Sequence, residues 1–161
     1  MSKRIATTAV LLAVALVLGY IEALFFHLPA IPGLKLGLAN ITVLLALYRI
    51  NARYALGLSV LKAVLTAFLF GNPVGMLYSL LGSFLAWLGM TLSRRIFSVL
   101  GVSVIGSVLH NMGQLIVACV LTQSLAPMGY APALLLGGTV FGVLTGFCVM
   151  GVLRAFSDKK R

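Results

Sequence analysis

Five polar residues fall on one face of a long apolar segment in the C-terminal half of the chain. Ser103, Ser107, His110, Asn111 and Gln114 lie at i, i+4, i+7, i+8 and i+11, the spacing of a single helical face. At ~1.5 Å per residue, the last three lie near the middle of the segment. Such groups are costly against lipid, so the face must contact protein, water or a ligand. The pattern indicates either a binding surface or an interhelical hydrogen-bond network worth ~0.6 kcal/mol per contact.

A lysine occupies the middle of another apolar segment. Lys62 lies within residues 54–70, where a charged side chain costs ~2.5–3.5 kcal/mol on insertion scales. Glu22 is the only acidic residue outside the C-terminal tail, and a helical rise puts it within ~6 Å of Lys62 in depth. A structural ion pair with Glu22 and a cation that holds a ligand are both consistent with this position.

The stretch "PGLKLGLAN", residues 32–40, contains a third group that could bind a ligand. Lys35 is flanked by glycines, His27 precedes the stretch, and Asn40 ends it about one turn into the next apolar segment. Lys35 could extend to the lipid headgroups or turn inward, and glycine would let backbone approach a ligand closely.

These groups could share one cavity. Lys35, Lys62, His27 and His110 would make it electropositive, with Glu22 as its one acid. We therefore expect an anionic or strongly polar ligand.

The segments that carry these groups are long and apolar. Of the 161 residues, 61% are hydrophobic and 9% are charged, which one soluble core of this size could not bury. Runs of about 20 apolar residues match a helix that crosses ~30 Å of hydrocarbon. The sequence predicts an all-α polytopic membrane protein, one integral domain over residues 1–161. Its six predicted helices cover residues 5–26, 36–49, 54–70, 73–93, 101–124 and 132–154.

The net charge of +10 reflects membrane topology rather than nucleic-acid binding. With six spans, ten cations fall on the side of the termini, whereas the opposite loops contain only Lys35. This asymmetry predicts that both termini are cytoplasmic. The ten are Lys3, Arg4, Arg49, Arg53, Arg94, Arg95, Arg154, Lys159, Lys160 and Arg161.

The sequence lacks the residues that metal-dependent catalysis needs. Its only acids are Glu22 and Asp158, whereas Mg²⁺ bound with diphosphate requires clustered carboxylates. Phosphate-binding loops, nucleophile elbows and zinc-ligand spacings are also absent from the sequence. We expect no catalytic residue, no metal site and no cofactor.

Small residues indicate where helices pack. Gly138, Gly142 and Gly146 recur every four residues in the sixth segment, a spacing that lets helix backbones approach closely. Ala9 and Ala13 form a weaker pattern of the same kind in the first segment.

Three stretches resemble a known family, the heptaprenyl diphosphate synthase component I family, also called Gx transporter. They are "PGLKLGLAN" at 32–40, "LLGS" at 80–83 with Met90, and "GVSVIGSVLHNMGQ" at 101–114. The resemblance extends over nearly the whole chain. That family is grouped with the S-components of energy-coupling-factor transporters, six-helix proteins of the bacterial inner membrane. S-components bind a nutrient and dock on a coupling membrane protein that has two ATPases.

The resemblance implies a multi-pass substrate-binding subunit for a small, anionic or amphipathic nutrient or cofactor precursor. Ala9 and Ala13 match the docking motif of S-components, and the ligand would contact Lys35, Asn40, Lys62, His110, Asn111 and Gln114, with Glu22 and His27 nearby. The enzymatic family label fits poorly, because no aspartate-rich motif is present. Two alternatives stay open: a non-catalytic subunit for prenyl diphosphate or quinone synthesis, and a solitary transporter with Glu22, Lys62 and His110 as a proton relay.

Overall fold

The computed structural model describes residues 2–25, 37–70 and 73–158. These residues form six α-helices and one short 3-10 helix at Ala126–Tyr130, with no strand among them. The helices are α1 (Ser2–Phe25), α2 (Asn40–Arg49), α3 (Ala52–Phe70), α4 (Pro73–Ser93), α5 (Val99–Thr122) and α6 (Ala131–Asp158).

Five of the six helices are long and apolar enough to cross a membrane, namely α1, α3, α4, α5 and α6. The exception is α2, which has 10 residues and extends over about 15 Å, half of the ~30 Å hydrocarbon core. The protein is therefore a multi-pass membrane protein in which one helix is too short to span the bilayer alone.

The start of α2 differs from the prediction. The sequence indicated a helix from residue 36, whereas α2 begins at Asn40. Gly37 has a φ of +74°, a left-handed conformation that favours glycine. Its carbonyl accepts a hydrogen bond from the Asn40 N–H at 2.8 Å, so residues 37–39 form a turn and Asn40 is the first helical residue.

The short helix lies inside the bundle. Helix α2 contacts α1, α3, α4 and α6, and the helices from α3 to α6 pack against one another in chain order. Seven of its residues are buried, and Val43, Leu44 and Ala46 are at most 1% exposed. Because neighbouring helices cover it on most sides, α2 does not need the length of a lipid-exposed span.

Cationic residues gather where several helices end. Arg94, just after α4, donates to the carbonyl of Leu47 in α2 at 3.5 Å. The guanidinium of Arg49, the last residue of α2, lies 4.9 Å from the ring centre of Phe156 in α6. The C-terminal ends of α2, α4 and α6 therefore lie at one end of the bundle, which we call the cationic end.

Glycines bring α4, α5 and α6 close together. A Cβ placed on Gly113 of α5 would lie 2.7 Å from the Cα of Gly82 in α4, and one on Gly142 of α6 would lie 2.7 Å from the Cα of Val104 in α5. Gly138 and Gly146 also face α5 backbone. The predicted role of the α6 glycines in helix packing is confirmed, since any side chain would separate the helices.

Candidate functional site

A buried lysine joins α3 to the first residue of α2. The Nζ of Lys62 donates a hydrogen bond to Oδ1 of Asn40 at 2.9 Å, and the two residues are 7% and 8% exposed. A buried ammonium is costly unless it is hydrogen-bonded or paired. The structure thus brings together two of the predicted site residues, through an amide that the sequence did not identify as the partner of Lys62.

Glu22 lies in the same region and contacts the turn before α2. Its carboxylate is buried and accepts a hydrogen bond from the Gly37 N–H at 2.9 Å. A Cβ on Gly37 would lie 3.2 Å from Nδ2 of Asn40, so the turn contacts both side chains. Glu22, Gly37, Asn40 and Lys62 therefore form one connected group, which we call the α1–α3 polar cluster.

The predicted polar face of α5 is buried, and its residues have different partners. His110 and Gln114 are 4% and 1% exposed, and their Nε2 atoms lie 3.0 Å apart in a hydrogen bond within the helix. Opposite them, a Cβ on Gly82 of α4 would lie 2.8 Å from the His110 carbonyl oxygen. This close approach of α4 to α5 holds the His110–Gln114 pair inside the bundle.

Two other residues of this face bond to α6. The side-chain amide of Asn111 donates to the carbonyl of Leu134 at 2.9 Å, and the hydroxyls of Ser103 and Thr145 lie 2.9 Å apart. The sequence left open whether the face binds a ligand or joins helices. These two contacts are interhelical hydrogen bonds. They do not test whether Asn111 also contacts a ligand, so that prediction stays untested.

Several buried polar atoms have no hydrogen-bond partner within the described part of the chain. They include the donor Nδ2 of Asn40, the acceptor Oε1 of Gln114 and the hydroxyls of Ser83 and Thr91. Leaving such a group unsatisfied costs ~1–3 kcal/mol, so each marks a position where a bound molecule would lower the energy. Asn40 and Gln114 are among the residues that the sequence predicted as ligand contacts.

Ser83 was not predicted as a site residue. It is 3% exposed and follows Gly82, which packs against His110. In the sequence it was noted only as part of the "LLGS" stretch at 80–83. Ser83 lies four residues after Ser79, which is also buried. This spacing is the sequence signal that could have marked Ser83 as part of a polar helix face.

The remaining predicted residues lie elsewhere. His27 and Lys35 fall outside the described residues, so the direction of the Lys35 side chain is untested. Ala9 and Ala13 are exposed on α1, where a partner protein could reach them. Among the described residues no group of three or more His, Cys, Asp or Glu side chains could hold a metal ion.

The buried polar groups of the two sets suit binding rather than bond-breaking chemistry. Lys62 and the free amide hydrogens of Asn40 are donors, and Gln114 and Ser83 offer acceptor oxygens. Helix packing fixes the positions of these groups, as selective binding requires.

Comparisons with known proteins agree with this architecture. The family model described as "Heptaprenyl diphosphate synthase component I" matches residues 11–152. A search of the curated proteins found no match. A solved structure titled "Structure and mechanism of the S component of a bacterial ECF transporter" superposes with a TM-score of 0.76 at 18% identity, covering 99% of this chain and 98% of that one. At this identity the likeness shows a shared fold.

Proposed function

The chain belongs to the heptaprenyl diphosphate synthase component I family, and we propose that it is the substrate-binding subunit of a membrane transporter. The S-component fold over 99% of the chain supports this proposal. We further propose one integral domain over residues 1–161 with six membrane crossings, in which the buried α2 counts as the second. The cationic end would then face the cytoplasm of a bacterial cell, together with both termini.

The observation that carries the proposal is the pair of buried, unsatisfied groups on Asn40 and Gln114. A bundle that needed only stability would fill these positions with apolar side chains, since an unsatisfied polar atom in the interior is destabilising. A substrate that accepts from Nδ2 of Asn40 and donates to Oε1 of Gln114 would satisfy both. His110, Ser83 and Asn111 would shape the pocket around it.

The charge near Asn40 indicates the chemical class of the substrate. Lys62 bonds directly to Asn40, so an acceptor group on Asn40 Nδ2 would lie close to an ammonium in a medium of low dielectric constant. The favoured substrates are small molecules with an anionic or strongly polar group and an apolar body. Lys35 and His27 would add to the positive field if the 27–40 connection covers the pocket.

Native mass spectrometry of the purified protein tests the proposal directly. We expect a bound small molecule in the wild type and its loss in Lys62→Met, because losing a hydrogen bond from a charged group costs ~1.5–3 kcal/mol, or about 10- to 100-fold in affinity. Lys3→Met, an exposed lysine of α1, is the matched control. If both folded variants retained the small molecule equally, Lys62 would not be a residue of the binding pocket.

We also propose that a coupling membrane protein with ATPase subunits docks on α1 at Ala9 and Ala13. Small exposed side chains allow a partner helix to approach the backbone closely. Ala13→Phe should reduce co-purification with such a partner, whereas Ala133→Phe, at an exposed alanine of α6, should not. Co-purification with a soluble prenyltransferase and no ATPase would instead favour the role that the family name suggests.

A further inference from the structure

A groove separates α1 from α3 near their N-terminal ends. It encloses about 410 Å³, within the ~300–1,000 Å³ range of ligand sites. A Cβ on Gly57 would meet nothing within 4 Å, so this glycine leaves the floor of the groove open. The lining residues are Ile5, Thr8, Ala9, Leu12, Arg53, Tyr54, Gly57, Leu58 and Leu61.

The interior of the groove is apolar. Thr8 contributes no free hydroxyl hydrogen, because its Oγ1 donates to the Arg4 carbonyl at 2.8 Å. The aliphatic residues Ile5, Leu12 and Leu61 come from both helices. An occupant of this space must therefore present a hydrocarbon surface.

The groove has an exposed arginine in its lining and a second arginine nearby in the sequence of α1. Arg53 is exposed and lines the groove, and Arg4, also exposed, lies one turn before Thr8 on α1. The nearest acid along α1 is Glu22, which is buried near the opposite end of that helix and bonded to Gly37.

We propose that this groove binds one acyl chain of an anionic phospholipid whose phosphate contacts Arg53. The combination of an apolar groove with an exposed arginine in its lining matches an amphipathic molecule that carries a negative headgroup. A free anion would leave the apolar groove unused, and an apolar helix would leave the arginines without a counter-charge. The site is separate from the α1–α3 polar cluster. It shares Ala9 with the proposed docking surface, so a lipid in the groove and a docked partner would exclude each other.

Native mass spectrometry with defined lipids tests this site. The purified full-length protein is mixed with phosphatidylglycerol or with phosphatidylcholine of the same acyl chains. We expect the wild type to retain phosphatidylglycerol about fivefold more than phosphatidylcholine, the effect of one basic residue near a membrane surface. Arg53→Gln should abolish this preference. Gly57→Leu adds a side chain whose Cβ meets nothing within 4 Å and which would occupy the groove, so it should reduce retention of both lipids.

Two control variants separate this site from general lipid contact. Arg95→Gln changes an exposed arginine after α4, and Gly19→Leu changes an α1 glycine that also has open space around its Cβ; both should behave as wild type. Equal retention of the two lipids by the wild type would overturn the proposal, as would a loss of preference in Arg95→Gln matching that in Arg53→Gln. The proposal would also be overturned if Gly57→Leu retained both lipids as the wild type does but no longer co-purified with the coupling membrane protein. That result would identify the groove as a protein-docking site.

Discussion

The two sides of the bundle are packed in opposite ways. Between α4, α5 and α6, glycine Cα atoms lie so close to neighbouring backbone that a methyl group would not fit. Between α1 and α3, Gly57 faces a groove of about 410 Å³. Within their candidate membrane spans, 39% of the α5 residues and 11% of the α1 residues are buried. The same residue type therefore creates close contact on one side and open space on the other.

This difference suggests a division of roles. The α4–α6 side holds His110 and Gln114 in fixed positions, because tightly packed backbones and the Asn111 bond to Leu134 leave little freedom. The α1–α3 side has unfilled surface, so it can take up other molecules at low cost in lost contacts. Three substitutions test the contrast.

The largest expected effect is at Gly113. Gly113→Val should lower the free energy of unfolding by about 3 kcal/mol, because its side chain would meet the Gly82 backbone and overpacking typically costs this much. The thermal unfolding midpoint in detergent measures the loss. Gly19→Val is the control, since a Cβ there meets nothing within 4 Å. Similar midpoints for the two variants would mean that the α4–α5 contact is not tightly packed.

An intermediate effect is expected at Asn111. Asn111→Ala removes the hydrogen bond to the Leu134 carbonyl and should cost about 1 kcal/mol of stability. The thermal unfolding midpoint reports that loss, and native mass spectrometry reports bound substrate in the same preparation. If Asn111→Ala lost the bound substrate but kept the wild-type unfolding midpoint, Asn111 would be a ligand-binding residue rather than a contact between α5 and α6.

The smallest effect is expected at Gly57. Gly57→Ala adds a methyl group in open space and lowers the entropy of the unfolded chain, so stability should rise by about 0.5 kcal/mol. A lower unfolding midpoint would show that α1 and α3 approach more closely than the groove implies.

Much of the fold follows from local pattern. Predicted and observed bounds agree within two or three residues for α1, α3, α4 and α5, because apolar length and charged ends are properties of each segment alone. The start of α2 was wrong by four residues. The reason is the positive φ of Gly37, which a turn packed against Glu22 requires and an apolar run does not reveal.

The sequence predicted which polar residues of the candidate site are buried, but it did not predict their hydrogen-bond partners. The burial of Lys62, His110 and Gln114 agrees with the expectation that polar groups in apolar helices face inward. The hydrogen bond from Lys62 to Asn40 could not be foreseen, since the two residues are 22 positions apart in the sequence. Ser83 was missed because a small residue in a membrane helix usually serves packing.

Composition and the placement of charges were enough to predict a helical membrane protein with a cationic end and a polar interior. Those properties depend on the free energy of moving each segment from water into lipid, which composition sets. The packing of the helices was needed to learn which polar groups meet, which glycines are in contact and which leave a groove. These outcomes depend on the relative positions of whole helices, where shifts of one or two ångströms decide whether atoms clash, bond or leave space.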